Sequence, residues 1–264
     1  MRPRIPHSRP WISEAEWGAV DDVLKSSMLV GGVLRQRFTE ALSNLSPSIS
    51  HCALFSSGRA AIRAALQALR LPTGSGVIVQ TYVCEAVLWA IRAAGCRPVL
   101  SDIADGWVNE PGQVETVRDT GCAAILLAPP FGFLQTARPF RHFGLPIIHD
   151  LCQASPRLLT TIDRAELGDI VALSFHPTKY LCAVTGGAAL DVSGRYGDQL
   201  RQLEGELDPV APFSEVQAAV GLQQLARLPS MSDRRERIAN RYLDVLPRKL
   251  TRRLRRHADV ALGD

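Results

Sequence analysis

The chain has 264 residues, 46% of them apolar and 21% charged, with a formal net charge of +4. That balance excludes an intrinsically disordered chain, and the length suits one large α/β domain, or one domain with part of a second. No apolar run reaches the roughly 20 residues of a membrane helix, and no apolar stretch or small-residue cleavage site follows the basic N-terminus, so a cytoplasmic protein without membrane contact is expected.

In chain order, Ser13 and Glu16 have the spacing of a capping box, and Trp17, Val20 and Leu24 follow on one helical face. A short helix is expected around Phe38, Leu42 and Leu45. A repeating pattern then begins. His51–Phe55 reads as a buried strand, Gly58–Leu69 as a helix, Val77–Val79 as a strand, and Glu85–Ala94 as a helix ended by Gly95. Pro98–Ser101, Ala123–Ala128, Pro146–His149, Ile170–Ser174 and Ala188–Val192 are further short apolar runs bounded by Gly, Pro or Asp. Glu215–Leu228 and Arg234–Leu246 read as closing helices. Seven strands alternating with helices predict an α/β fold, a mostly parallel seven-stranded sheet covered on both faces.

The six cysteines are scattered and form no C-x-x-C pair, which argues against structural zinc and a disulfide framework. Residues 248–264 carry six basic and two acidic side chains, so the rest of the chain is neutral. Such a stretch could touch nucleic acid or acidic lipid. A solvated helix end explains it as well, and no nucleic-acid partner is expected.

Ligands of open α/β sheets sit beyond the carboxyl ends of the strands, so the residues just past each strand bear on function. After the first come Ser57, Gly58 and Arg59, opening a helix whose N-terminus could take a phosphate; Ser57 could equally do no more than cap that helix. There is neither a G-x-G-x-x-G nor a Walker lysine. After the second comes Tyr82, placed to stack on a planar ligand or to pack in the core. Asp150 ends the fifth, a costly place for a carboxylate without a cationic partner. After the sixth come Ser174, His176 and Lys179, then Gly186 and Gly187. Lysine occurs only at 25, 179 and 249, while arginine supplies the other 27 basic residues. Lys179 is then either a chance surface lysine or an amine able to lose its proton where arginine could not. A phosphate cradle, an aromatic, a carboxylate and such a lysine together suit pyridoxal 5′-phosphate.

These residues lie in segments that resemble the DegT/DnrJ/StrS family of pyridoxal-phosphate sugar aminotransferases. The segments are Ser57–Ile62, Gln80–Val83, Ala94–Val99, His149–Ala154, Asp169–Lys179 with Gly186-Gly187, and Glu215–Gly221 through Arg241-Tyr242. The resemblance runs from about Ile5 to Leu246 and implies the type I aminotransferase fold, a three-layer α/β/α large domain. It makes Lys179 the Schiff-base lysine and Asp150 the partner of the pyridine nitrogen. It sets Gln153 beside the cofactor's phenolic oxygen and Tyr82 against its ring. Ser57, Gly58, Arg59 and Ser174 fall at phosphate-binding positions. His176 lies in the active-site turn, either toward substrate or as a structural contact.

The resemblance implies a keto-sugar substrate, usually nucleotide-linked, a glutamate or glutamine donor, and a homodimer serving polysaccharide or antibiotic biosynthesis. In the family's dehydratases histidine replaces the lysine, so the retained Lys179 favours transamination. In two places the sequence departs from the family. Leu207–Phe213 lacks the Asn and Arg that reach the partner subunit's cofactor phosphate, and an arginine-rich stretch stands where a small C-terminal domain begins. The expected division is an N-terminal arm and helix at 1–30, a cofactor-binding large domain at 31–230, and the start of a truncated small domain at 231–264. The alternative reading is a catalytically impaired member that binds cofactor as a remnant or regulatory partner.

Overall fold

The computed structural model describes residues 6, 8–119, 121–133, 135–207 and 212–247. Most of the Leu207–Phe213 stretch, at 208–211, and the basic stretch 248–264 lie outside the described residues. Seven strands form one sheet: β1 (His51–Phe55), β2 (Gly76–Gln80), β3 (Arg97–Ser101), β4 (Cys122–Leu127), β5 (Ile147–Asp150), β6 (Ile170–Ser174) and β7 (Gly187–Asp191). Their order is β1-β7-β6-β5-β4-β2-β3. β7 is antiparallel to both its neighbours, and the pairings from β6 to β3 are parallel. Each of the seven apolar runs forms a strand, in a sheet that is parallel but for β7.

Side-chain alternation divides the core between two faces. Phe55, Val77, Leu126, Ile148 and Ala172 face a layer made by α3 (Gly58–Ala68), α4 (Glu85–Ala93) and α6 (Gly197–Leu207). On the other face, Leu54, Val171 and Leu190 pack with Phe38, Phe175 and Phe213, and Ile78, Ile125 and Ile147 with Phe140. That layer includes α1 (Glu14–Ser26), α2 (Val33–Ser43), α5 (Pro111–Val117) and α7 (Glu215–Ala226). The three-layer α/β/α expectation holds.

The helices differ from their sequence reading in three places. In α1 the buried positions are Glu16 and Val23, while Trp17 is 65% exposed and Leu24 is also exposed. The capping box draws Glu16 inward: its carboxylate accepts from the Ser13 N–H at 2.8 Å and from Gln224 Nε2 at 2.7 Å, and pairs with Arg227. Burial pushes the Glu16 carboxyl up, but the hydrogen bonds from Ser13 and Gln224 outweigh it and hold the group below its ordinary value. The last helix, α8 (Leu228–Val245), begins six residues before its expected start, because Pro229 sits in the first turn, where it displaces no hydrogen bond. Helices α5 and α6 have no counterpart in the sequence reading.

Candidate active site

Because β7 runs against its neighbours, its first residue shares an edge with the last residues of β1, β2, β4, β5 and β6. Phe55 and Ser174 are both register partners of Gly187, and Ser57 bridges to Gly186. The backbones meet so closely that side chains are excluded. A Cβ on Gly187 would stand 2.6 Å from the Gly58 nitrogen, and one on Gly58 would stand 2.6 Å from Ser174 Cβ and 3.1 Å from Cys152 Sγ. Gly186 has φ +127° and leaves Phe213 no room for a Cβ.

At this junction α3 opens. The Ser57 hydroxyl accepts from the Ala60 N–H at 3.1 Å, so Ser57 does cap its helix. The N–H groups of Gly58 and Arg59, in the first turn, have no intrahelical partner and carry the positive end of the helix dipole. Ser174 Oγ lies beside them. The Arg59 side chain does not join this cluster; its guanidinium lies 4.5 Å from the centroid of the Trp89 ring on α4.

A cavity of about 290 Å³ opens beside the helix mouth, and Tyr82, Cys84, Phe131, Asp150 and Gln153 line it. Asp150 is 9% exposed. Its Oδ1 accepts from the Cys152 N–H at 2.9 Å, and among the described residues it forms no ion pair. Burial raises the Asp150 pKa, opposed by the bonds from Cys152 and by the charge of Lys179. The Cys152 thiol is pushed well up, by burial first and then by Asp150, and stays protonated. Tyr82 stands edge-on to Trp107, ring centroids 5.1 Å apart, and tilted against Phe131 at 6.0 Å.

Lys179 sits in the turn between β6 and β7. The turn is tied by Phe175 N–H to Gly186 O at 2.8 Å and by Lys179 N–H to His176 O at 2.8 Å. Lys179 lines a second cavity, of about 640 Å³, while its charge acts on both Asp150 and Cys152. His176 Nδ1 lies 2.9 Å from Thr178 Oγ1 and accepts from the Thr178 N–H at 3.3 Å, which leaves the ring proton of the neutral form on Nε2. This is the turn contact foreseen as one of its two roles.

The structure therefore brings Tyr82, Asp150 and Gln153 around one cavity, with Ser57, Gly58 and Ser174 at the adjoining helix mouth. Sequence reasoning missed Cys152, whose N–H holds Asp150, and Phe131, whose N–H donates to Gln153 Oε1 at 3.0 Å. Phe131 has φ +59°, rare for a bulky residue. Both lie just past strand ends, so the full loops after β4 and β5 carry the signal that could have found them.

Comparison with known proteins places the chain in context. The DegT/DnrJ/EryC1/StrS aminotransferase family matches residues 10–206 and 211–258. The aminotransferase from Psychrobacter cryohalolentis superposes with a TM-score of 0.76 at 20% identity, covering 86% of this chain and 65% of its own. For the PLP-form of the sugar aminotransferase Spr1654 from Streptococcus pneumoniae the values are 0.79 and 22%, covering 92% and 71%. DesI, solved in the presence of its TDP-sugar product, gives 0.74 at 26% identity, covering 87% and 62%. The chain thus spans less than two thirds of the length of the first and third of these proteins, at 65% and 62%, and 71% of the second.

Proposed function

The chain belongs to the DegT/DnrJ/EryC1/StrS aminotransferase family, and from that premise we propose that it is a pyridoxal-phosphate-dependent aminotransferase converting a keto sugar to an amino sugar. The observation that carries the reading is Asp150: a buried carboxylate without an ion pair among the described residues, lining a cavity with Tyr82 and Gln153. Such a carboxylate is costly unless a cation meets it, and a protonated pyridine nitrogen is that cation. The N-terminus of α3, whose first N–H groups have no intrahelical partner, fits the group's phosphate end.

When bound, pyridoxal phosphate supplies an electron-withdrawing ring that takes up the electron pair left at the donor's α-carbon. The residues of this chain do the rest. Ser57, Gly58, Arg59 and Ser174 would hold the phosphate, Arg59 through its N–H. Asp150 would keep the proton on the ring nitrogen, Tyr82 would cover the ring, and Gln153 would stand beside the phenolic oxygen. Lys179 would hold the cofactor's aldehyde carbon through Nζ and, as a free amine, would move the donor's α-proton with the same atom. Over the whole reaction the donor would take oxygen from water and leave as its 2-oxo acid, while the sugar would gain the amino group as its carbonyl oxygen departs as water.

Family membership and the TDP-sugar product of DesI support a nucleotide-linked sugar. Glutamate or glutamine is the proposed donor, and the product an amino sugar for polysaccharide or antibiotic biosynthesis. Exposed Leu24, Met28, Leu29, Val30 and Val33 support a homodimer, since a lone chain would leave that apolar stretch to water. No described helix is long and apolar enough to cross a membrane, and a cytoplasmic enzyme is the proposed setting. The test is the visible absorption spectrum of the purified protein with added cofactor. A visible band that glutamate or glutamine bleaches is the expected result; failure to form any band would overturn the reading.

A further inference from the structure

In the loop after β4, Phe131 and Gly132 both have positive φ, +59° and +80°, and the Phe133 N–H closes the turn on Pro130 O at 3.0 Å. Pro130–Phe133 therefore has the pattern of a type I′ turn, whose two central positions favour Asn and Gly. A phenylalanine there adopts a backbone conformation that its own Cβ opposes. Phe131 is 61% exposed, so burial of its ring does not offset that strain. Strain of this kind persists only where the surroundings hold it, and it points to what the turn does.

The turn lies against Gln153. The Phe131 N–H donates to Gln153 Oε1 at 3.0 Å, and a Cβ on Gly132 would stand 3.0 Å from the Gln153 backbone oxygen. A carboxamide carries its donors on nitrogen and accepts on oxygen. An N–H on one side of it therefore admits a single orientation, with Oε1 toward the turn and Nε2 away from it. Gln153 is exposed, and an exposed glutamine ordinarily turns freely; this one is held at one end. Among the described residues Nε2 bonds to no protein group, and Gln153 lines the smaller cavity with Asp150 and Tyr82.

We propose that the Pro130–Phe133 turn is a positioning element: through the Phe131 N–H it fixes the Gln153 amide so that Nε2, a donor, meets the cofactor's phenolic oxygen. The proposal rests on the aminotransferase reading and adds to it the group that orients Gln153. The orientation has a chemical consequence. A donor at the phenolic oxygen favours its anionic form, whereas Oε1 turned the same way would repel it. Phe131 thus acts on the cofactor's charge through Gln153, without touching the reacting atoms.

The experiment follows the pH midpoint of the visible band in the protein loaded with pyridoxal phosphate. The deprotonated form carries more charge on the phenolic oxygen and gains more from a donor, so losing the donor should move the midpoint upward. Gln153→Leu, which removes the donor without adding charge, should raise it by about one pH unit. Replacing only the amide that bears the Phe131 N–H by an ester, with phenyllactic acid at 131, should shift it in the same direction. Gly132→Ala should do likewise, since its methyl would press on the Gln153 backbone. Gly95→Ala imposes the same kind of strain, at φ +81° with nothing within 4 Å, and should leave the midpoint at the wild-type value. Tyr82, Cys84, Asp150 and Lys179, the titratable groups around this cavity, are present in every variant, so the differences read the amide alone. In the Gln153→Leu background the ester should have no effect, because the group it acts through is gone. If Gly132→Ala does not fold, the ester decides, since it adds no side chain. A wild-type band whose midpoint the ester leaves unmoved, or an ester shift that persists in Gln153→Leu, overturns the proposal alone. A wild-type protein that forms no band overturns the aminotransferase reading and this proposal with it.

Discussion

Gly58 and Ser174 lie so close that a single methyl group on Gly58 would stand 2.6 Å from Ser174 Cβ and 2.9 Å from Ser174 Oγ. Two strands ending against one helix mouth leave room for backbone only. In most helices alanine is preferred to glycine by up to about 1 kcal/mol; here the preference is reversed by contact.

The first prediction concerns that contrast. Gly58→Ala should destabilise the protein by about 1–3 kcal/mol through overpacking and should abolish cofactor uptake. Gly18→Ala, inside α1 with nothing within 4 Å of the added methyl, should instead stabilise it by about 0.5–1 kcal/mol. Denaturant unfolding of both variants, with cofactor titration of each, checks the pair. A stabilised Gly58→Ala would show that the junction yields.

Lys179 is expected to carry the cofactor. Lys179→Ala should remove the visible band and all transamination while thermal unfolding stays close to that of wild type. Borohydride reduction and peptide mapping should place the adduct on Lys179; recovery on Lys25 or Lys249 would refute the assignment.

For Asp150 the expected effect is kinetic. Asp150→Asn should retain cofactor, since the helix mouth is untouched, but a neutral amide cannot hold the ring-nitrogen proton. Bleaching by the amino donor should slow by orders of magnitude in stopped-flow measurements, with much smaller changes in cofactor affinity. Wild-type bleaching rates would remove Asp150 from the site.

Acid stability should depend on the neighbour of Asp150. His149 is fully buried, neither ring nitrogen has a hydrogen-bond partner among the described residues, and burial with the nearby Arg141 lowers its pKa to about 4. The unfolded chain takes up this proton near pH 6.5 and the folded one near 4. His149 therefore costs nothing above pH 6.5, and its cost grows as pH falls to about 4, reaching about 3 kcal/mol. Asp150, with a raised pKa, acts in the opposite direction and is common to both proteins compared. His149→Leu should flatten the decline between pH 6.5 and 4, measured as unfolding free energy at a series of pH values. An unchanged acid limb would show that His149 is not its source.

The strands were legible because each is a short apolar run closed by Gly, Pro or Asp, as at Ile170–Ser174, where reading and structure agree. Gly95 likewise ends its helix with φ +81°. The start of α8 was not legible: the apolar positions pointed to Arg234, whereas the helix opens at Leu228 with Pro229 in its first turn. In α1 hydrophobicity alone selected Trp17 and Leu24, whereas a buried hydrogen-bonded Glu16 decided which face turned inward. That Asp150 follows β5's apolar run and Ser174 closes β6 was readable from position. The second cavity, lined by Trp11 and Arg234, was not. Trp11 and Arg234 are more than 200 residues apart in sequence, and no local pattern announces that one ring will stack on the other's side chain.

The reversed course of β7 also sets an order of assembly. β6 and β7 form a hairpin, its ends Ser174 and Gly187 in register, so the loop bearing the lysine closes through contacts near in sequence. β1 must instead find β7 across about 130 residues, and only that late, entropically costly closure brings Gly58 against Ser174. A refolding chain would accordingly present the lysine early and complete the α3 mouth, the proposed phosphate site, last. Cofactor supplied during refolding would then reward only the final docking of the N-terminal strand, acting as a latch on that step.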